Sequence, residues 1–163
     1  MRDSLKRKAS KSVARLAAVQ ALYQVEVNAQ HPRLTVDEFR EYRLGREIDG
    51  DQYQKADAGL FERVVMGVYF GRESIDTQLA NFLPKSRPLV RLEPLIRAVL
   101  RAACFELESI DGAPAKVVVN EYMDLAHAFF SGQEPRFVNG VLDAVAHKVR
   151  PEDFKSNAET TDS

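Results

Sequence analysis

The apolar residues of this chain recur every three to four positions over most of its length, and this spacing constrains the fold more than any other feature. The clearest case is residues 92–108, where the recurring residues are Leu95, Ile96, Val99, Leu100, Ala103 and Leu107. Pro94 suits the first turn of such a helix, because the backbone N–H that proline lacks has no partner there. The pattern predicts an all-α fold.

The same spacing predicts about seven helices in a single compact domain. We expect them near residues 13–28, 35–43, 57–71, 75–82, 92–108, 115–130 and 136–148. Ser12 is the expected N-cap of the first helix, and residues 35–38 form a capping-box pattern for the second. Gly71 is expected to end the third helix. The polar stretch 45–54 predicts a loop.

Composition is that of an ordinary globular protein. The 163 residues suit one domain, with 45% hydrophobic and 29% charged residues. The one cysteine, Cys104, excludes an intrachain disulfide and fits a reducing compartment. No apolar run approaches the ~20 residues that span a bilayer, and the basic first residues lack the apolar core of a signal peptide. We therefore expect a cytoplasmic protein.

Charge is unevenly distributed, although the net charge is only −1. Residues 1–16 carry six basic side chains and one acidic one, whereas residues 152–163 carry four acidic and one basic. We interpret residues 1–11 as a flexible basic arm, 12–151 as the helical domain and 152–163 as a disordered acidic tail. A basic arm on a near-neutral body is typical of nucleic-acid-binding proteins, although a merely solvated terminus has the same composition.

Patterns that carry catalysis are scarce. The three histidines lack the spacing of metal ligands, and there is no glycine-rich phosphate loop or nucleophile elbow. Glu121 and Asp124 share a helix face, but acids at this spacing are common in charged helices. The sequence therefore predicts a protein that is not an enzyme and that needs no metal or cofactor.

Cations and an aromatic residue stand at two expected helix starts. Lys116 lies at the start of the 115–130 helix, and Arg136 and Phe137 open the last one. Helix N-termini favour anions, and a cation beside an aromatic ring suits single-stranded RNA, with phosphate on the cation and a base on the ring. The alternative interpretation places Phe137 in the core and Arg136 in solvent.

Three segments together resemble the family of the bacterial transcription antitermination factor NusB. They are ARLAAVQALY at residues 14–23, LRAACFEL at 100–107, and KVVVNEY at 116–122 with RFVNGVLD at 136–143. The segments occur in the order of the family, and the match covers about residues 10–150. The last segment is the most specific.

The resemblance implies an all-helical RNA-binding adaptor without catalytic activity. Such a protein binds boxA, a short single-stranded element in the leaders of ribosomal RNA operons, together with the small-subunit ribosomal protein NusE. The pair joins other Nus factors on RNA polymerase and suppresses termination. Carried over by position, the RNA contacts fall on Lys6, Arg7, Lys8, Lys11, Arg15, Lys116, Arg136, Phe137 and Asn139. Tyr23 and Glu93 fall where family members touch the ribosomal protein.

Some alternatives stay open at this point. Ser12 and Val13 occupy positions that are often arginine in the family, which leaves open which basic side chains reach the RNA. NusB-like domains also precede some ribosomal RNA cytosine methyltransferases, but that function needs a glycine-rich cofactor-binding domain that this sequence lacks. A helical protein-interaction module would bind the ribosomal protein without salt-dependent RNA affinity. The sequence does not decide between a monomer and a homodimer.

Overall fold

Most of the described residues lie in six α-helices of a computed structural model, which describes residues 2–42, 47–48, 51–52, 56–109 and 112–155. The helices are α1 (Arg2–Asn28), α2 (Pro32–Tyr42), α3 (Ala58–Ala80), α4 (Pro94–Glu108), α5 (Ala115–Phe129) and α6 (Glu134–Val149). Short 3-10 turns span Leu89–Arg91 and Pro151–Phe154, and two-residue antiparallel strands pair β1 (Glu47–Ile48) with β2 (Asp51–Gln52). The all-α prediction is confirmed.

The first helix is longer than expected, because α1 begins at Arg2 and not after Ser12. Ser12 lies inside the helix, where its hydroxyl donates a hydrogen bond to Glu121 Oε2 at 2.7 Å. Residues 2–11 therefore extend α1, which corrects the predicted start of the helix. The helix ends at Asn28, since Ala29 adopts a left-handed φ of 50°.

The third helix continues through Gly71, which was expected to end it, and joins two predicted helices into one. Its apolar stripe persists beyond the glycine, where Val68, Ile75 and Leu79 are all buried. Burying these side chains outweighs the roughly 1 kcal/mol that a glycine costs inside a helix. The predicted count of seven helices is therefore one too many for the residues described.

The second helix and the loop after it also differ from expectation. α2 begins at Pro32, three residues before the predicted capping box. Thr35 is fully buried inside the helix and does not cap it. Within the predicted loop at 45–54, β1 and β2 form a short hairpin; the other residues of that stretch lie outside the described part of the chain.

The central element is α4, which packs against α1, α3, α5 and α6. Glu26 near the end of α1 pairs with Arg97 near the start of α4, and Arg15 pairs with Glu106 near its end, so α1 and α4 are antiparallel. α5 runs antiparallel to α4 and α6. We call the end of the bundle where α4 ends and α5 begins the basal end, and the opposite end the apical end.

The residues after α6 fold back onto the basal end, which corrects the prediction that the chain is disordered from residue 152. The Arg150 guanidinium donates to four carbonyl oxygens at 2.6–2.9 Å, those of Glu106, Leu107, Ser109 and Ala113. Asp153 Oδ2 accepts from the backbone N–H of Ala115 at 2.9 Å and so caps α5. Residues 156–163 lie outside the described residues, and their part of the predicted tail stays a prediction.

The backbone of α3 approaches the Phe105 ring of α4 closely at Gly67. A Cβ atom added to Gly67 would lie 2.2 Å from Phe105 Cε2, far inside van der Waals contact. The ring therefore occupies the space that any side chain at residue 67 would need. Only glycine at residue 67 allows this contact between α3 and the ring. Any other residue would require the ring or α3 to shift.

We expect Gly67→Ala to lower the free energy of unfolding by about 1–3 kcal/mol, because it overpacks the contact between α3 and α4. Urea denaturation followed by circular dichroism measures the change. The matched control is Gly140→Ala in α6, where an added Cβ meets nothing within 4 Å. That control should be neutral or stabilise by up to about 1 kcal/mol through helix propensity. Equal effects of the two substitutions would contradict the steric explanation.

Candidate nucleic-acid interface

Arg15, expected to contact RNA phosphate, is buried at 3% exposure. Its Nε and Nη2 donate to Glu106 Oε1 and Oε2 at 2.9 and 3.0 Å. The Tyr122 hydroxyl donates to the same Oε1 at 2.7 Å, and Glu121 Oε2 lies 3.6 Å from Arg15 Nη1. These partners satisfy the charge and the hydrogen-bond donors of the guanidinium inside the protein. The structure therefore corrects the prediction: Arg15 joins α1 to α4 and α5 and is not a surface cation.

Burial and neighbouring charges keep this network in one protonation state. Burial alone would lower the pKa of Arg15, but the hydrogen bond and the charge of Glu106 raise it. Burial, the charge of Glu106 and the hydrogen bond to it raise the pKa of Tyr122 well above its ordinary value. Arg15 thus stays charged and Tyr122 stays protonated at neutral pH, so the contacts persist.

Two of the predicted RNA contacts come together at the basal end. Lys11 is exposed on α1 and lines the same surface depression as Ala113. Lys116, also exposed, follows Ala113 by three residues at the start of α5. The predicted contacts Lys6, Arg7 and Lys8 lie on the extension of α1 next to Lys11. Their side chains are outside the described residues, and their role stays a prediction.

The start of α5 offers less to an external anion than the sequence suggested. Its first N–H group, at Ala115, already donates to the Asp153 carboxylate. The N–H of Val117 donates to the carbonyl of Pro114 at 3.0 Å. Lys116 is consequently a candidate phosphate contact through its side chain, and the expected anion site at this helix start is occupied from within.

The other predicted RNA contacts lie at the apical end, in the first turns of α6. Arg136 and Asn139 are both exposed. Because α5 has 15 residues and runs antiparallel to α6, Arg136 is separated from Lys116 by about 17 Å along the helix axis and Asn139 by about 12 Å. The structure therefore divides the predicted RNA contacts between the two ends of the α5–α6 pair.

Phe137 is partly buried and packs against the core while Arg136 is exposed, as the alternative interpretation expected, and contact of the ring with RNA stays a prediction. The Arg87 guanidinium carbon lies 3.9 Å from the ring centroid and covers one face of the ring. Arg87 Nη2 also lies 2.9 Å from Glu134 Oε2, which fixes the guanidinium over the ring. No sequence signal pointed to Arg87, because 50 residues separate it from Phe137.

The two predicted protein contacts lie at the apical end. Tyr23 is 41% exposed and lines a depression of about 500 Å³ together with Val27, Leu95 and Phe129. Glu93 is exposed at the N-cap position of α4, two residues before Leu95, and its side chain makes no capping hydrogen bond. The structure thus places Tyr23 in an apolar depression rimmed by polar groups, with Glu93 two residues along the chain from Leu95, which also lines it.

A further ionic cluster, which the sequence analysis missed, holds the end of α1 on α4. Glu26 accepts hydrogen bonds from Arg97 and Arg101, and Arg101 Nε also donates to Asp76 Oδ1 of α3 at 2.8 Å. Burial alone would raise the pKa of Glu26, but the hydrogen bond from Arg97 and the two positive charges lower it. The spacing of Arg97 and Arg101 on one helix face was the available signal.

The described residues do not assemble a metal site. No set of three or more His, Cys, Asp or Glu side chains lies close enough there to hold a metal ion. Cys104 is buried, and burial together with the nearby Glu108 raises the pKa of its thiol. None of the helices in this part of the chain is long and apolar enough to cross a membrane.

Comparison with known proteins gives a consistent result. The model of the NusB family matches residues 12–147. The transcription antitermination protein NusB of Bartonella tribocorum is 47% identical over 140 residues, which are 86% of this chain and 90% of the relative. The protein of the same name from Sinorhizobium medicae is 43% identical over 151 residues, 93% of this chain and 94% of the relative. The structure of T. maritima NusB superimposes with a TM-score of 0.72 at 27% identity, covering 89% of this chain and 96% of that one.

We expect Arg15→Ala to lower the free energy of unfolding by about 3–5 kcal/mol, because it leaves the buried Glu106 carboxylate without its counter-ion. The control is Arg33→Ala, which removes an exposed arginine 2.7 Å from Glu62 and should cost less than about 1 kcal/mol. Urea denaturation measures both. A stable Arg15→Ala protein that had lost RNA affinity would restore the surface role that the structure argues against.

Proposed function

The chain belongs to the NusB family, and we propose that it is a transcription antitermination protein that acts by binding RNA and protein, not by catalysis. The proposed RNA is boxA of ribosomal RNA operon leaders, and the proposed protein partner is the small-subunit ribosomal protein NusE. In this proposal the complex joins other Nus factors on RNA polymerase in the cytoplasm and suppresses termination. The first support is family membership, since the curated relatives carry the name transcription antitermination protein.

The observation that carries the RNA-binding part is the pair of exposed lysines at the basal end, Lys11 and Lys116. They stand on separate helices, α1 and α5, beside the extension that carries further basic residues. Flexible ammonium groups in such an array suit the phosphates of a single strand. Arg136 and Asn139 would continue the surface at the apical end of the α5–α6 pair.

Phe137 contributes to this surface differently from a fully exposed stacking ring. One ring face is occupied by Arg87, whose guanidinium plane is itself a surface on which RNA bases stack. In the proposed interface a base would therefore stack on Arg87 or contact the remaining edge of Phe137. Both possibilities place a base at the start of α6.

The apolar depression around Tyr23 is the proposed site for the ribosomal protein. An aromatic ring that is partly exposed beside Leu95 and Phe129 is typical of residues that dominate protein–protein binding energy. Glu93, two residues before Leu95, would meet basic side chains, which ribosomal proteins carry in number. The protein site and the lysine pair would thus lie toward opposite ends of the bundle, whereas the RNA contacts proposed at the start of α6 would lie at the same end as the protein site.

The RNA part predicts a specific change in salt dependence. The double variant Lys11→Ala with Lys116→Ala should flatten the log–log salt slope of boxA binding by about 1.4, at ~0.7 for each lost phosphate contact on a single strand. Fluorescence anisotropy of labelled boxA RNA across salt concentrations measures this slope, with and without NusE.

The matched control removes two charges elsewhere, with Arg40→Ala in α2 and Arg72→Ala in α3. It should leave the slope unchanged. A scrambled RNA should bind more weakly than boxA, and NusE should strengthen only the boxA complex. Binding of NusE combined with salt-independent, sequence-independent RNA affinity would support a helical protein-interaction module in place of the proposed adaptor.

The protein part predicts that Tyr23→Ala weakens NusE binding by about 2 kcal/mol, because it removes the aromatic residue of the depression. Isothermal titration calorimetry measures this affinity, and boxA binding in the absence of NusE should stay as in the unmodified protein. The control is Leu34→Ala on α2, an exposed apolar residue that does not line the depression. An unchanged affinity of Tyr23→Ala for NusE would contradict the assignment.

A further inference from the structure

A depression of about 410 Å³ lies between α1, α3 and the connection from α4 to α5. Lys11 lines it from α1 and Arg63 lines it from α3. Its other sides are lined by residues that include Phe105, Ser109 and Ala113. This volume falls in the range of pockets that hold small ligands, and it can accept one nucleotide.

The depression continues along α3 into a second one. Arg63 and Phe105 line both, and the second, of about 490 Å³, adds Met66 and Phe70. Arg63, Gly67 and Phe70 are spaced by four and three residues, so they share one face of α3. Together the two depressions form a trough, lined by residues from Lys11 to Phe70, which we call the α3 trough.

The α3 trough combines free cations with aromatic surface. Neither Lys11 nor Arg63 forms an ion pair with another residue that the structure describes. Phe70 is 75% exposed, and the Phe105 ring lies close against the backbone of α3 at Gly67. Cations that follow a strand, interleaved with rings that take its bases, are the features by which proteins bind single-stranded nucleic acid.

Two of the carboxylates near the trough are paired with arginines and therefore do not cancel the positive charge of Lys11 and Arg63. Glu106 is neutralised by Arg15. Glu62 is paired with Arg33 and Arg40 at 2.7 and 3.0 Å. Glu73 and Glu108, which line a depression together with Phe70, are exposed carboxylates without an ion pair among the described residues, and Glu108 also lines the trough. In the trough Glu108 can accept a hydrogen bond from the amino group of a base.

We propose that the α3 trough binds nucleotides that flank the RNA element held at the basal end. Arg63 binds a phosphate, Phe105 bounds the pocket for one nucleotide, and Phe70 stacks a further base. The inference rests on the proposed function, since Lys11 belongs to both surfaces and makes them continuous. An RNA strand fits better than an acidic peptide, because exposed rings at separate points along the trough match the repeated bases of a strand.

The test compares two labelled RNAs, boxA alone and boxA extended by single-stranded nucleotides at either end. With the full chain, an extension at one of the two ends of boxA should raise the affinity severalfold. The same extension should steepen the log–log salt slope by about 0.7, because it adds one phosphate contact. Arg63→Glu and Phe70→Ala should each remove most of this gain and leave the affinity for boxA alone within about twofold.

The controls separate this inference from the proposed function. Arg72→Glu makes the same charge change on the opposite side of α3, nine residues after Arg63. Leu34→Ala removes an exposed apolar residue from α2. Both variants should keep the gain in affinity from the extension. The proposed role of the α3 trough would be overturned if the extension added no affinity to the unmodified protein. It would also be overturned if Arg63→Glu and Arg72→Glu reduced the gain equally. In both cases binding of boxA itself would be unaffected. Absence of any boxA binding would instead refute the proposed function.

Discussion

The buried ion pair between Arg15 and Glu106 is the interaction on which the arrangement of the other helices depends. A charge without a partner inside a protein costs several kcal/mol, so the pair forms only when α1 and α4 lie in one register. Tyr122 adds the same requirement for α5, because its hydroxyl also needs the Glu106 carboxylate. Lys11 lies one helical turn before Arg15, so the internal pair determines where this external cation projects.

This dependence explains how a bundle with few polar residues inside can present two separate surfaces. Lys11 and Tyr23 are twelve residues apart on α1, which places them about 18 Å apart along a rigid axis. One end of that axis is held by Arg15 and the other by Glu26. The helix therefore acts as a fixed spacer between a basic surface and an apolar one.

Much of the fold could be predicted from the sequence, because helical periodicity reports which faces are buried. Pro94 marked the start of α4 correctly, since that requirement is local. Gly71 was misread because a local penalty of about 1 kcal/mol lost to burial further along the helix. Arg15 and Asp153 were misread for a related reason. Their partners are 91 and 38 residues away, and sequence spacing carries no information about such pairs.

Arg150 and Asp153 are synthesised after every helix that they hold. Until they leave the ribosome, the Leu107 carbonyl of α4 and the first N–H of α5 lack these side-chain partners. A nascent protein can thus have all six helices outside the ribosome while its basal end is still unfastened. The basal end is therefore fastened only after all six described helices have been synthesised.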